Sequence, residues 1–104
     1  MKLSNILRGT DGGPAFWCPG CDSIHVVPEK ISADRPGWTW NQNVTLPTFT
    51  PSILVTCNCE PPTRCHSFVT DGFIQFLSDS THELSGKTAP IPDWPWAEDE
   101  YGGV

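Results

Sequence analysis

The chain has 104 residues, with 12 acidic and 6 basic side chains for a formal net charge of −6, and it carries 11 prolines, 9 glycines, 5 cysteines and 5 tryptophans. A chain of that length makes one domain whose apolar core alone leaves a thin stability margin, so a metal or disulfide staple is expected among the cysteines. The proline and glycine content excludes long helices from most of the chain, no apolar run reaches the roughly 18 residues of a membrane span, and the scattered basic residues form no patch for a phosphate backbone. Residues 1–13 also lack the apolar stretch of a signal peptide. The expectation is a cytoplasmic protein with no membrane segment and no direct contact with nucleic acid.

In chain order, residues 1–12 read as an N-terminal tail and residues 13–92 as the domain. Residues 93–104 hold Asp93, Glu98, Asp99 and Glu100, four of the six net negative charges, and read as an acidic tail with Trp94 and Trp96. Those two tryptophans either pack back onto the domain or meet a partner. Within the domain, Ala15–Trp17 and Ile24–Val27 flank a Cys18-Pro19-Gly20-Cys21 turn and predict a small hairpin. Trp38-Thr39-Trp40 alternates as a strand does, and 47–56 predicts an edge segment followed by a buried strand, because Pro47 and Pro51 cannot sit in a central ladder. His66–Thr70 and Phe73–Leu77 form a second hairpin around Asp71-Gly72, a dipeptide that supplies the positive φ angles of a two-residue turn. Ser78–Ser80 caps one helical turn over 81–85, which Gly86 stops. Together these elements predict a mainly β fold: a small zinc-ribbon-like antiparallel domain with hairpins, one short helical turn and irregular connections.

The Cys18-x-x-Cys21 pair is the sharpest chemical feature. Two thiolates on a tight turn each reach one tetrahedral ion at about 2.3 Å. A redox role wants this motif at a helix N-terminus, whereas Asp22–Pro28 reads as a strand, and a disulfide is disfavoured in a reducing compartment. One structural zinc ion is therefore the expected cofactor. Its remaining ligands come from Cys65, His82 and His66, with His25, Cys57 and Cys59 ranked below them. Cys65 and His66 are adjacent on a strand and point to opposite faces, so only one of them joins the same ion.

The ordered set Phe16-Trp17-Cys18-Pro19-Gly20-Cys21 with His25, then Trp38-Thr39-Trp40-Asn41, Pro47-Thr48-Phe49-Thr50-Pro51-Ser52, Cys65-His66-Ser67-Phe68-Val69-Thr70-Asp71-Gly72 and Thr81-His82-Glu83-Leu84-Ser85-Gly86 resembles a family of small uncharacterised phage and prophage proteins. The resemblance spans residues 15–92. Such proteins often carry the label ammonia monooxygenase, a membrane copper enzyme that a chain without a membrane span does not support. The resemblance implies a phage origin and a small metal-binding module, and it points to Cys18, Cys21, Cys65, His66 and His82. Cys57 and Cys59 fall in what looks like a variable loop.

Three functions compete. The first is a phage-encoded, zinc-stabilised protein-binding or regulatory module without catalysis, its acidic surface suited to a basic host protein whose defence role it would block. The second is a zinc-dependent hydrolase in which Asp79 or Glu83 acts as base and His66 as a donor to the transition state. The third is a minor virion or assembly component that uses Trp38, Trp40, Trp94 and Trp96 as a contact surface. The thiolate-rich ligand set favours the first, non-enzymatic reading.

Overall fold

The computed structural model describes residues 1–30, 32, 34 and 36–96. Its strands are β1 (Arg8–Thr10), β2 (Gly13–Cys18), β3 (Ser23–Val26), β4 (Thr39–Trp40), β5 (Phe49–Cys57), β6 (Thr63–Thr70), β7 (Phe73–Phe76) and β8 (Thr88–Pro90). Two antiparallel sheets result, one in the order β1-β2-β3 and one in the order β4-β5-β6-β7-β8. The mainly β, zinc-ribbon-like expectation agrees with this architecture, with local differences. The segment after Ser80 is not a helix: Ser85 N–H bonds to the His82 carbonyl at 3.1 Å and Lys87 N–H to the Leu84 carbonyl at 2.9 Å, giving a tight hydrogen-bonded turn. No helix among the described residues is long and apolar enough to cross a membrane.

The Asp71-Gly72 hairpin forms as its turn chemistry requires. Both residues have positive φ, 50° and 79°, and the arms pair from Thr70↔Phe73 to Ser67↔Phe76. Alternation then sorts β6 by face: Cys65, Ser67 and Val69 are buried, whereas Arg64 and Phe68 are exposed and His66 is half-buried. On the inner side Phe16, Phe49 and Phe76 are the largest fully buried side chains, and they pack with Leu7, Val27, Ile74 and Ile91. Fully burying one such phenylalanine contributes about 2–3 kcal/mol. Trp38 and Trp40 are partly buried and pack against the rim of this core.

Residues expected to form the N-terminal tail take part in the fold. Leu7 is fully buried and β1 pairs with β2 through Arg8↔Ala15. At the other end Trp94 is buried, with the Arg8 guanidinium 5.2 Å from its ring centre and Trp96 edge-on at 6.0 Å. Both tryptophans therefore contact the domain, while Glu98, Asp99 and Glu100 lie outside the described residues.

Residues 47–56 do not divide into an edge segment and a buried strand. Pro47 and Thr48 precede the single strand β5, which takes in the rest of the segment and most of whose side chains are exposed. The Thr50–Pro51 peptide is cis, and the pairing with β6 shifts register between Phe49 and Ile53. This irregularity accommodates Pro51 and re-aims Ser52, as β-bulges beside functional sites do. Proline is tolerated here because β4 covers β5 only at Phe49 and Thr50.

Candidate active site and metal centre

The outer face of the larger sheet carries a line of three polar side chains. Ser52 comes from the irregular part of β5, His66 from β6, and Asp79 from the segment that follows β7. Ser52 Oγ lies 3.0 Å from His66 Nε2. His66 Nδ1 lies 3.1 Å and 3.3 Å from the two carboxylate oxygens of Asp79. An ionised carboxylate only accepts, so in the neutral imidazole Nδ1 carries the proton and Nε2 is left to accept from the serine hydroxyl. This is the nucleophile, base and orienting acid arrangement of serine hydrolases.

The backbone around these residues holds them in place. Trp38 donates its indole N–H to the Ser52 carbonyl at 3.2 Å. The segment bearing Asp79 is clamped to β6 on both sides. The Ser80 hydroxyl accepts from His66 N–H at 3.0 Å and donates to the His66 carbonyl at 3.1 Å. The Thr81 hydroxyl accepts from Arg64 N–H at 2.9 Å, and Thr81 N–H returns a bond to the Arg64 carbonyl at 2.9 Å. Asp79 therefore meets His66 through fixed backbone rather than a free loop. Arg64 adds a long ion pair to Asp79 at 3.7 Å.

A second cluster lies on the inner face. Cys18 ends β2, Cys21 lies in the turn, His25 is on β3 and Cys65 is on β6, and their ligand atoms all fall within 4.8 Å of one another. Cys18 Sγ and Cys65 Sγ are 3.9 Å apart. His25 is 4% exposed, and neither ring nitrogen has a hydrogen-bond partner. A buried imidazole without partners is costly unless a ligand satisfies it. Three thiols and that imidazole fit a tetrahedral metal ion.

The thiols are electrostatically interlocked. The hydrogen bond with Cys65, opposed by burial, holds the Cys18 thiol down at about 4. Burial and the neighbouring Cys18 charge push Cys21 up to about 11. The same Cys18 bond, followed by burial, drives Cys65 far above the ordinary thiol range. One thiolate is thus comfortable without a cation, and three are not.

The residues singled out from sequence divide between the two clusters. Cys18, Cys21 and Cys65 come together, and the fourth member of their set is His25, which the sequence ranking had placed lower. His82 stands beside them, Nε2 at 3.4 Å from Cys65 Sγ, with its Nδ1 accepting from Leu84 N–H at 3.2 Å. An imidazole accepting at Nδ1 carries its proton on Nε2, so His82 is set to donate to the sulfur. A Cβ at Gly20 would collide with the His82 ring, so the glycine admits this close approach. His66 faces away from the cysteines, toward Ser52 and Asp79. Asp79, considered as a base beside the metal, bonds to His66 instead, and Glu83 is exposed. Cys57 and Cys59 are joined to each other by a disulfide.

Residues 3–77 match the family described as BubE, bacterial ubiquitination-like system serine protease. The chain belongs to the BubE family. Among curated proteins and solved structures no match was found. Membership in BubE overturns the expectation of a protein without catalysis: the family is named for a serine protease. The thiolates are a local motif visible in four consecutive residues, whereas the second site is assembled by strand pairing. Ser52 closes the Pro47–Ser52 motif, and nothing in its neighbours marks it as a nucleophile. The usable signal was a serine and a histidine inside β-prone segments and an aspartate just beyond the end of a hairpin arm. Two of the three lie on neighbouring strands.

Proposed function

We propose that this chain is a serine hydrolase that cleaves peptide bonds, with Ser52 as nucleophile, His66 as general base and acid, and Asp79 as the group that orients His66. The observation that carries this reading is the continuous Ser52–His66–Asp79 hydrogen-bonded line. His66 Nε2 takes the hydroxyl proton as Ser52 Oγ bonds to the substrate carbonyl carbon. The same proton passes to the leaving nitrogen as the C–N bond breaks, leaving an acyl-serine. Water, deprotonated by His66, then releases the acid and restores Ser52. The family's description points to a protein of a ubiquitination-like system as the substrate.

The metal is inferred to be one zinc ion, held by Cys18, Cys21, Cys65 and His25, with His82 donating to Cys65. Its role is structural, because four protein ligands leave no open position and the triad lies on the opposite face of β6. The ion ties the β2–β3 turn to the sheet that carries His66. A phage source for the gene is a separate proposal about origin and changes none of this chemistry.

Labelling with a fluorophosphonate tests the hydrolase reading. The probe is expected to modify Ser52, identified by peptide mass spectrometry, and to leave Ser52→Ala unmodified while that variant melts as the wild type does. Labelling elsewhere, or none in a folded sample, overturns it.

A further inference from the structure

The outer face of β6 presents Arg64, His66 and Phe68 in a row, two residues apart. Adjacent members of the row are therefore roughly 7 Å apart along the strand. Leu54 pairs with His66 and Ile53 with Ser67, so Ser52 lies on the Phe68 side of His66. Asp79, bonded to both His66 and Arg64, lies on the other side. This asymmetry orients a substrate. In the proposed reaction His66 hands its proton to the departing amine, so the leaving segment passes over the imidazole while the acyl segment stays on the Ser52 side. The leaving segment is thus directed toward Arg64.

At that end the surface is concave. A cavity of about 380 Å³ is lined by Thr56, Asn58, Thr63, Arg64, Asp79 and Thr81, among others. Arg64 is the one cation in this lining, and its side chain is 52% exposed. Its contact with Asp79 is single and long, 3.7 Å from one terminal nitrogen, which leaves most of the guanidinium's five N–H donors for a ligand. Hydroxyl and amide groups around a guanidinium suit an anionic, bidentate acceptor.

We propose that Arg64 and this cavity form a leaving-side subsite that takes a carboxylate about two residues beyond the scissile bond, given roughly 3.3–3.5 Å per extended residue. The carboxylate is either the substrate's own C-terminus or an acidic side chain at that position. The inference rests on the hydrolase reading and deepens it: the enzyme trims a short C-terminal segment or cuts ahead of an acidic residue.

The test uses mixed-sequence peptide libraries offered to the full chain and read by mass spectrometry. One library ends in a free carboxylate, one in a carboxamide, and one is amidated but carries glutamate at fixed internal positions. Cleavage two residues before a free carboxylate supports the C-terminal source, and cleavage two residues before an internal glutamate supports the side-chain source. Arg64→Gln is expected to lower kcat/KM for the preferred class by about tenfold or more, the effect of losing one charge-assisted hydrogen bond. Most of that loss should fall in KM, with partial recovery in Arg64→Lys. For amidated peptides without an acid, the loss in Arg64→Gln should be at least several-fold smaller than for the preferred class. A uniform fall in kcat for every peptide would mean that Arg64 only positions Asp79, and it overturns the proposal. So does indifference to the carboxylate, or absence of cleavage by protein whose Ser52 labels. Failure of Ser52 to label is the distinct result that removes the underlying reading.

Discussion

Replacing Asp79 by Asn isolates the orienting acid from the fold. In the wild type an imidazolium at His66 would lie 3.1 Å from one carboxylate oxygen of Asp79. At an effective dielectric near 20, that separation corresponds to about 5 kcal/mol of attraction. The Asp79 side chain is 42% exposed, so solvent screening reduces this to roughly 2–3 kcal/mol, or about a hundredfold in rate. The amide adds a second loss: its NH2 group, placed where an oxygen now lies 3.3 Å from Nδ1, favours the tautomer with the proton on Nε2. His66 can then no longer accept from Ser52, the effect that costs other serine triads about 10⁴-fold. The expected fall in the rate of fluorophosphonate labelling of Ser52 therefore lies between about 10² and 10⁴. Stability should hardly change, because an exposed ion pair such as Arg64–Asp79 is worth about 0–1 kcal/mol. Labelling near the wild-type rate in a folded Asp79→Asn protein would refute the triad. Loss of labelling together with loss of the cooperative melt would show that Asp79 acts on the fold instead.

Three further outcomes are expected. With Cys18 ionised at neutral pH and Cys21 and Cys65 protonated, binding of one zinc ion should release two protons, one each from Cys21 and Cys65. Calorimetry in buffers of different ionisation enthalpy reads that number, and affinity should weaken as pH falls because protons then compete for both sulfurs. A release of no protons would contradict the ligand set. His25→Ala should lower zinc occupancy, measured by native mass spectrometry, more than His82→Ala does, since His25 has no other partner for its ring nitrogens; the reverse order would place His82 in the coordination shell. Gly72→Ala puts a Cβ at φ +79° and 3.3 Å from Leu46. It should cost about 1 kcal/mol or more, a fall in Tm of roughly 4–8 °C for a domain of this size, and an unchanged Tm would contradict the turn assignment.

What the sequence made legible follows the range of the interaction. The Asp71-Gly72 hairpin is decided by four neighbouring residues, and its arms pair as expected. The two thiols of the Cys-Pro-Gly-Cys turn are likewise local. The argument that adjacent residues on a strand face opposite ways has its structural counterpart in Cys65, which is buried, and His66, which faces outward. His25 was harder to rank, because its inward direction depends on the β2–β3 register, Phe16↔His25. Ser52 was harder still. It meets His66 only through the displaced pairing of β5, and local propensity does not report where a strand irregularity turns its side chains. Asp79 was visible as a carboxylate near a strand end, but its partner was set by the Ser80 and Thr81 bonds to β6, which no periodicity announces.

Cys65 and His66 stand back to back, one peptide unit joining the metal cluster to the proposed general base. A slip of one residue in this strand would turn the thiol outward and the imidazole inward, emptying both sites at once. Chains that mispair during folding therefore have no half-active form: they can neither hold the ion nor ionise the serine. Under the proposed protease function, this shared peptide makes correct assembly a condition of reactivity. Length changes in the Asn58–Pro62 connection are consequently tolerated only when they leave the parity of β6 intact.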